Sequence, residues 1–206
     1  MTGGGYPSDC ELTEALRTRA MHRNRPIERS QAWIAALPKA KAVQLLLLDV
    51  DGVLTDGSIT YGSGDLETKS FNTQDGLGIR LLQESGVAVG IITARTSEAV
   101  TRRVRDLHIS QVYQGKSDKL IVFEEILKQT GLRPPQTAYM GDDWMDLPIL
   151  NRVGFAAAPA NAVVEIKQRV HYTTERPGGR GAVREICDLI LEARGQLHRM
   201  LAQFDR

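Results

Sequence analysis

Short runs of apolar residues alternate along the chain with longer segments whose apolar residues recur at helical spacing. The apolar runs lie at residues 45–48, 87–92, 111–113, 137–140 and 154–157. Runs of this length are typical of strands that are buried on both faces of a parallel sheet. Helical spacing is found at residues 77–84, 98–107, 118–129, 145–152, 163–168 and 182–193. The alternation predicts an α/β fold, a doubly wound parallel sheet with helices on both faces.

One segment, residues 57–72, interrupts the alternation of strands and helices. Two short stretches of alternating residues flank Gly62-Ser63-Gly64-Asp65, whose composition favours a tight turn. The pattern predicts a small β-hairpin. Because the hairpin directly follows the first strand, we expect it to form a flap over the sheet edge at which ligands bind in such folds.

The two ends of the chain differ in composition from its middle. Residues 1–40 begin with Thr2-Gly3-Gly4-Gly5, continue polar and rich in arginine, and become rich in alanine after residue 31. We expect this N-terminal tail to be partly disordered or helical, with one short helix near residues 11–21. The folded domain should then span residues 41–195, and residues 196–206 should form a C-terminal helical tail.

Composition narrows the class of protein only slightly. The 206 residues have a formal net charge of +1, which gives no reason to expect binding to nucleic acid or to an anionic membrane. The leucine run at residues 45–48 is too short to span a bilayer, and no secretory signal is recognisable. Cys10 and Cys187 have no metal-binding spacing, so a reducing cytoplasm is the expected location.

Paired carboxylates follow the first predicted strand. Asp49 and Asp51 lie at its C-terminal end, where solvation is poor and two acids raise each other's pKa unless a cation or a proton intervenes. Isolated loop acids often only cap a helix. A cap does not need a second acid two residues away, so the pair favours a functional site over a structural one.

A hydroxyl and cationic side chains follow the next two predicted strands, at residues 87–92 and 111–113. Thr93 and Arg95 follow the strand at residues 87–92; a threonine there could also be a simple helix cap, and Arg95 could bind an acidic substrate group or a nearby acid. Lys119 begins a predicted helix, an unfavourable place for a cation unless a negative charge lies close by. Sequence alone leaves Lys116 as an alternative to Lys119.

A cluster of acids follows the strand at residues 137–140. Asp142, Asp143 and Asp146 occur within five residues, directly after a buried strand. A solvated acidic loop is the usual interpretation of such a cluster. Its position at a strand end favours a site of hard oxygen ligands suited to Mg²⁺.

The segment Asp49-Val50-Asp51-Gly52-Val53-Leu54-Thr55 resembles the first motif of the haloacid dehalogenase-like phosphatases, and the other three strand ends match that family's remaining motifs in order. The resemblance implies a phosphatase in which Asp49 is the nucleophile and Asp51 the general acid and base. Thr93 and Lys119 would then contact the phosphoryl group. Mg²⁺ would be bound by Asp49, Asp142 and the backbone carbonyl of Asp51, with Asp146 as a further ligand or a neighbour of the ligands.

A narrower resemblance is found at residues 69–79, 113–115 and 178–185. These segments are similar to the capless phosphatases of 3-deoxy-D-manno-octulosonate 8-phosphate, a sugar acid of lipopolysaccharide inner-core synthesis. That resemblance implies a chain without a cap domain, a homotetramer assembled through the hairpins, and a Gly-rich segment that reaches a neighbour's site. It also implies substrate contacts by Asp51, Thr93, Arg95, Gly76 and Arg180.

Two positions depart from the family pattern. Ala94 stands where a glycine is expected, and Trp144 stands where a leucine is more usual. A phosphatase of a nine-carbon sugar acid phosphate therefore remains an alternative, because it would share the same motifs. A non-catalytic homologue and a two-component receiver domain are further alternatives, although the Asp-x-Asp pair after the first strand favours the phosphatase.

Overall fold

The computed structural model describes residues 8–23, 28–64 and 67–205. The chain divides into two compact units, Met1–Gln31 and Ala32–Arg206. The first unit contains the helix α1 (Asp9–Arg23), found where the sequence predicts a short helix. Ser8 and Glu11 form a capping box at its start: the Glu11 N–H donates to the Ser8 hydroxyl, and the Ser8 N–H donates to the Glu11 carboxylate.

The second unit contains all the strands of the described residues. Its strands are β1 (Leu45–Leu48), β2 (Thr60–Tyr61), β3 (Glu67–Thr68), β4 (Ala88–Ile92), β5 (Gln111–Tyr113), β6 (Thr137–Met140), β7 (Phe155–Ala158) and β8 (Tyr172–Thr173). Its α-helices are α2 (Gln31–Ala40), α3 (Thr73–Glu84), α4 (Glu98–Asp106), α5 (Lys119–Thr130), α6 (Leu147–Leu150), α7 (Val164–Lys167), α8 (Ala182–Ala193) and α9 (Leu197–Ala202). Short 3₁₀ helices occupy Pro134–Gln136 and Trp144–Asp146.

Six strands form one parallel sheet in the order β5-β4-β1-β6-β7-β8. After β1 the chain builds one side of the sheet with β4 and β5, and then returns to build the other side with β6, β7 and β8. The order reverses at β1, and ligands in sheets of this kind bind beyond the carboxyl ends of the strands at that point. The predicted α/β doubly wound fold is confirmed.

The leucines of β1 supply both hydrophobic cores. Successive side chains of a strand point to opposite faces, so Leu46 and Leu48 enter one core while Leu45 and Leu47 enter the other. The first core is covered by α2, α3, α4, α8 and α9, and the second by α5, α6 and α7. This double burial explains why β1 is a continuous apolar run.

The hairpin of β2 and β3 forms a separate two-stranded sheet, with Thr60 paired to Thr68 and Tyr61 paired to Glu67. The predicted flap is therefore found, although each strand is only two residues long. In the described residues between β1 and β4, the only other regular element is α3, so that segment holds no cap domain.

Both ends of the predicted domain merge into helices that pack on the core. Trp33 and Ala36 of α2 are buried, and the compact unit begins at Ala32, earlier than the boundary at residue 41 expected from sequence. At the C-terminal end, α9 places Leu197 and Met200 in the core. None of the helices in the described ranges is long and apolar enough to cross a membrane.

Candidate active site

A cavity of about 300 Å³ lies at the carboxyl edge of the sheet, where β1, β4 and β6 end. All the residues predicted to act in catalysis or to bind the metal contribute to its wall. The lining consists of Asp49, Asp51, Gly57, Thr93, Ala94, Arg95, Lys119, Asp142, Asp143, Met145 and Asp146. Residues far apart in the sequence thus meet as the parallel topology predicts.

Asp49 follows β1 directly and is almost completely buried. Its backbone N–H donates to the Met140 carbonyl at 3.0 Å, which continues the pairing of β1 with β6 beyond the last strand residue. Burial, together with the negative charge of Asp146, raises the pKa of Asp49 to about 6, against the opposing effect of Lys119. The backbone of Asp49 is therefore tied to the sheet, and a positive charge in the cavity would favour the ionised form of its carboxylate.

Lys119 joins the buried carboxylates of the cavity. Its Nζ lies 2.9 Å from Asp49 Oδ2 and 2.7 Å from Asp146 Oδ1. Burial disfavours the ammonium, but Asp49 and Asp146 outweigh that cost and the pKa of Lys119 is raised. Lys119 is the first residue of α5, a helix capped by the Asp118 carboxylate. The structure thus places Lys119, and not the exposed Lys116, beside the predicted nucleophile.

Asp146 organises the loop after β6 through both of its carboxylate oxygens. Oδ1 accepts from the Tyr139 hydroxyl at 2.6 Å and from Lys119, while Oδ2 accepts from the backbone N–H groups of Asp142 and Asp143 at 2.9 and 3.2 Å. Four donors satisfy this carboxylate, and Asp146 is fully buried. Its present contacts suit it to orienting the acidic loop and Lys119.

Asp142 has surroundings that suit a cation. Within the described part of the chain Asp142 forms no ion pair, and burial, reinforced by Asp49 and Asp146, raises its pKa to about 7. Carboxylate oxygens of Asp49, Asp142 and Asp146 lie within 4.8 Å of one another. Hard oxygen donors at this spacing fit Mg²⁺, whose charge would remove the mutual repulsion of the acids.

Two glycines allow the acidic loops to approach each other. A Cβ at Gly52 would lie 2.0 Å from Asp142 Oδ2, and Gly52 also has a φ of +86° that disfavours other residues. A Cβ at Gly141 would lie 2.3 Å from the carboxylate carbon of Asp146. Any side chain at either position would displace a carboxylate of the cluster.

Thr93 and Arg95 lie together after β4. Thr93 is buried, lines the cavity and accepts a hydrogen bond from the Arg95 N–H at 3.4 Å. The sequence left open whether Arg95 binds a substrate group or a nearby acid. In the structure its guanidinium binds the Glu67 carboxylate of the flap, and its Nε lies 3.8 Å from Asp51 Oδ2.

Asp51 faces the flap instead of the sheet. Its Oδ1 accepts a short hydrogen bond from Lys69, which follows β3 and whose side chain is completely buried. Lys69 Nζ also lies 3.3 Å from Glu67 Oε1. Asp51, Lys69, Glu67 and Arg95 thus form a closed ring of alternating charges, here called the flap ring.

Gly76 and Arg180 do not line the cavity. Gly76 is buried in α3, where a Cβ would meet the Arg103 guanidinium and Leu107. Arg180 is exposed and lies near Asp56. The pKa of Asp56 is lowered mainly by the hydrogen bond from the Ser58 N–H, and to a smaller extent by the charge of Arg180. The predicted roles of these two residues in substrate binding stay predictions.

The Gly-rich segment packs against the first acidic loop of its own chain. Gly178 N donates to Asn161 Oδ1 at 2.6 Å, and Asn161 Nδ2 donates to the Gly52 carbonyl at 3.0 Å. Gly179 N donates to the Val53 carbonyl at 3.0 Å. A Cβ at Gly178 would lie 1.8 Å from the Gly52 oxygen, so only glycine fits this contact.

Sequence reasoning missed several residues that support the site. No role was predicted for Lys69, Glu67, Tyr139 or Asn161. Lys69, Tyr139 and Asn161 each contact a residue of the acidic loops, and Glu67 binds Lys69 and Arg95. Tyr139 could have been suspected, because a tyrosine hydroxyl buried in a central strand requires a partner. The other three gave no signal, since the residues that connect them to the site (Asp51, Arg95 and Gly52) are distant from them in sequence.

The fold and the acid cluster define a haloacid dehalogenase-like hydrolase. The family model described as haloacid dehalogenase-like hydrolase matches residues 106–186, which include Lys119 and the acids after β6. The sequence is also 46% identical over 161 residues to the 3-deoxy-D-manno-octulosonate 8-phosphate phosphatase of Escherichia coli (strain K12), covering 78% of this chain and 86% of that protein.

Solved structures agree with the sequence comparison. The 3-deoxy-D-manno-octulosonate 8-phosphate phosphatase of Moraxella catarrhalis, in complex with magnesium ion, phosphate ion and KDO, has a TM-score of 0.81 at 41% identity, covering 82% of this chain and 97% of that one. The Yersinia pestis enzyme of the same name has a TM-score of 0.78 at 44% identity, covering 80% and 89%. The chain belongs to the family of 3-deoxy-D-manno-octulosonate 8-phosphate phosphatases.

Proposed function

We propose that this protein is a Mg²⁺-dependent phosphatase that hydrolyses 3-deoxy-D-manno-octulosonate 8-phosphate to the free sugar acid and phosphate. The observation that supports this most directly is the cavity in which Asp49, Lys119 and Asp142 meet beside Thr93. The relatives named above act on the same sugar phosphate. The reaction would supply the sugar acid for lipopolysaccharide synthesis.

Mg²⁺ fits the acidic end of the cavity. Asp49, Asp142 and the backbone carbonyl of Asp51 would hold the ion, with Asp146 orienting the loop that bears Asp142. The ion would neutralise charge on the phosphoryl oxygens and on the acids themselves. The raised pKa values of Asp49 and Asp142 support this assignment, because each carboxylate lacks sufficient compensating charge in the protein alone.

The chain's own residues account for both halves of the reaction. An oxygen of Asp49 forms a bond to phosphorus while the bond from phosphorus to the sugar oxygen breaks, and Asp51 donates a proton to that oxygen. Water then attacks the phosphorus of the aspartyl-phosphate, its proton passes to Asp51, and phosphate leaves. Thr93 and Lys119 would bind the non-bridging oxygens and offset their charge.

Specificity for a sugar acid would involve Arg95, the exposed cation at the rim of the cavity. Its side chain is 40% exposed and can reach a substrate carboxylate, although it must then exchange the Glu67 carboxylate for that of the substrate. Thr93 and Asp51 complete the substrate contacts within this chain. Gly76 and Arg180 lie outside the cavity. We propose that Arg180, in the Gly-rich segment, acts at the site of an adjacent subunit, whereas the substrate contact of Gly76 stays a prediction.

The proposed assembly is a homotetramer built through the flaps. Tyr61 is 72% exposed and Ile59 is 41% exposed, an apolar pair that self-association would cover. The short β2 and β3 also have unpaired edges that another flap could complete. The cytoplasmic location expected from the two cysteines stays a prediction.

Phosphate release from a panel of phosphate esters tests the proposed function. The panel contains the eight-carbon and nine-carbon sugar acid phosphates and simple hexose phosphates, each with Mg²⁺ and with EDTA. We expect Mg²⁺-dependent release with the highest kcat/KM for the eight-carbon acid. Preference for the nine-carbon acid would reassign the substrate, and release only from hexose phosphates would contradict the assignment to sugar acids.

A further inference from the structure

The flap ring surrounds the predicted acid and base of the reaction on both of its oxygens. Lys69 contacts Asp51 Oδ1, and the Arg95 Nε lies 3.8 Å from Oδ2. Glu67 binds both cations, which closes the ring. The flap supplies Glu67 and Lys69, while Arg95 comes from the loop after β4.

Burial of Lys69 distinguishes its ion pair with Asp51 from an ordinary surface ion pair, while the Arg95 side chain on the other side of the ring is 40% exposed. The Lys69 side chain has no exposed area, and those of Glu67 and Asp51 are 17% and 22% exposed. Removing charges from water costs free energy that a single pair regains only with good geometry, so buried pairs are weak devices for stability. A buried lysine that ends on a reacting carboxylate is better explained by the orientation it gives that carboxylate.

Asp51 needs such an orienting contact because of where it lies. Asp49 follows the strand directly and is bonded to β6 through its N–H, whereas Asp51 is in the turn that begins after β1. The hydrogen bond described for the Asp51 carboxylate comes from the flap lysine. Without Lys69 the side chain would be free to take other rotamers, and the proton would be delivered from a wider range of positions.

We propose that Lys69 is a positioning residue for the proton transfers of Asp51, and that Glu67 holds Lys69 in place, so that docking of the flap aligns the acid with the leaving oxygen. The inference rests on the proposed phosphatase function. Lys69 does not touch the phosphoryl group; it acts through Asp51. A substrate carboxylate that binds Arg95 would leave Glu67 bound to Lys69, and Lys69 bound to Asp51, so this part of the ring persists during the reaction.

The test uses two aryl phosphates that differ in their need for a proton. Phenolate is a poor leaving group that requires protonation, whereas 4-nitrophenolate departs without it. The parameter kcat/KM includes only the steps up to departure of the leaving group and therefore isolates the acid role of Asp51. Lys69→Met should lower kcat/KM for phenyl phosphate ~10–100-fold, a fraction of the ~10²–10⁴ that general acid catalysis supplies, and that for 4-nitrophenyl phosphate less than about threefold.

Matched variants separate positioning from folding. Asp51→Asn gives the reference pattern for loss of the acid, and Lys69→Arg, which keeps a cation, should recover part of the phenyl phosphate activity. Lys128→Met removes an exposed lysine of α5 and should leave kcat/KM unchanged for both aryl phosphates. If Lys69→Met does not fold, Glu67→Gln, which removes the charge that holds Lys69 in place, should show a smaller loss with the same bias toward phenyl phosphate.

Equal losses on both aryl phosphates, or no loss on either, would overturn the role proposed for Lys69. The result is independent of the sugar. A wild-type protein that hydrolyses both aryl phosphates but not the eight-carbon sugar acid phosphate would contradict the proposed substrate alone, while the leaving-group comparison would still decide the role of Lys69.

Discussion

The two aspartates of the first motif are separated by one residue, yet they belong to different parts of the molecule. Asp49 is surrounded by groups anchored on the sheet: Lys119 at the start of α5 and Asp146 after β6. Asp51 is surrounded by the flap and by Arg95. One network is buried between the layers of the domain, and the other joins the domain to a hairpin.

The difference matches the two tasks proposed for Asp49 and Asp51. A nucleophile must lie in line with the bond that breaks, so its position is best fixed by strand pairing and by a buried cation. A general acid must serve first the leaving oxygen and then a water molecule, and a carboxylate at the more exposed edge of the site can serve both. The side chain of Asp51 is 22% exposed and that of Asp49 is 11% exposed, in keeping with these roles.

The largest effect is expected for Asp49→Asn, measured as a fall in kcat. Because Asp49 is the proposed nucleophile of the covalent intermediate, kcat should fall by at least ~10⁴-fold for every phosphate ester, including 4-nitrophenyl phosphate. Steady-state phosphate release with saturating Mg²⁺ measures it, and circular dichroism checks the fold. Appreciable residual turnover, or a loss of kcat confined to substrates with poor leaving groups, would contradict the assignment of Asp49 as nucleophile and Asp51 as general acid.

Removing the lysine of each network compares the two regions by stability. Lys119→Met leaves Asp49 and Asp146 buried without their cation and should lower the free energy of unfolding by ~3–5 kcal/mol. Lys69→Met removes the cation from Asp51 and Glu67, which are more exposed than Asp49 and Asp146, and should lower the free energy of unfolding by about 1–3 kcal/mol. Urea denaturation without Mg²⁺ measures both, with Lys128→Met as the control. Equal costs would mean that the flap is as firmly integrated as the core.

The smallest effect concerns pH. In the metal-free protein the pKa values of Asp49 and Asp142 are raised to about 6 and about 7, so the folded state binds protons more tightly than the unfolded state. The resulting stability is present at low pH and is lost as pH rises through these values. The melting temperature should therefore fall by about 3–6 °C between about pH 5 and about pH 8.

Mg²⁺ should abolish most of this slope, because the ion favours the ionised carboxylates. Glu67 of the flap ring provides the contrast: Arg95 lowers its pKa, so its contribution is lost only as pH falls below the window measured. Glu67→Gln should leave the slope unchanged, whereas Asp142→Asn should flatten it. A slope that disappears with Glu67→Gln would place the pH dependence in the flap instead of the metal site.

The regularity of the sheet explains how much of the site could be predicted. Asp49, Thr93 and Asp142 each follow an apolar run, and parallel strands bring their carboxyl ends to one edge whatever the intervening loops do. Alternation of strand and helix therefore gave both the fold and the meeting of these residues. The strand and helix pattern did not suffice to predict Lys119, because only the resemblance to known motifs distinguished it from Lys116.

The contacts of the flap could not be predicted in the same way. Which acid Arg95 meets depends on where the hairpin docks, and a hairpin with two-residue strands has no periodic pattern that fixes its position. Asn161 bonds to a carbonyl 109 residues away, a pairing that no local signal announces. The strand β8 was missed because two residues, Tyr172 and Thr173, are too few to show a period.

The central place of β1 has a consequence for the biosynthesis of the chain. Its four leucines are translated before either of their partners, since β4 begins at Ala88 and β6 at Thr137. During much of elongation, the nascent chain thus exposes an apolar, aggregation-prone strand whose two edges are unpaired. The turn bearing the proposed nucleophile is completed later still, when Asn161 and Gly178 emerge and bind it. A ribosome that stalls before residue 178 therefore holds a chain that has all four motifs and no finished catalytic centre.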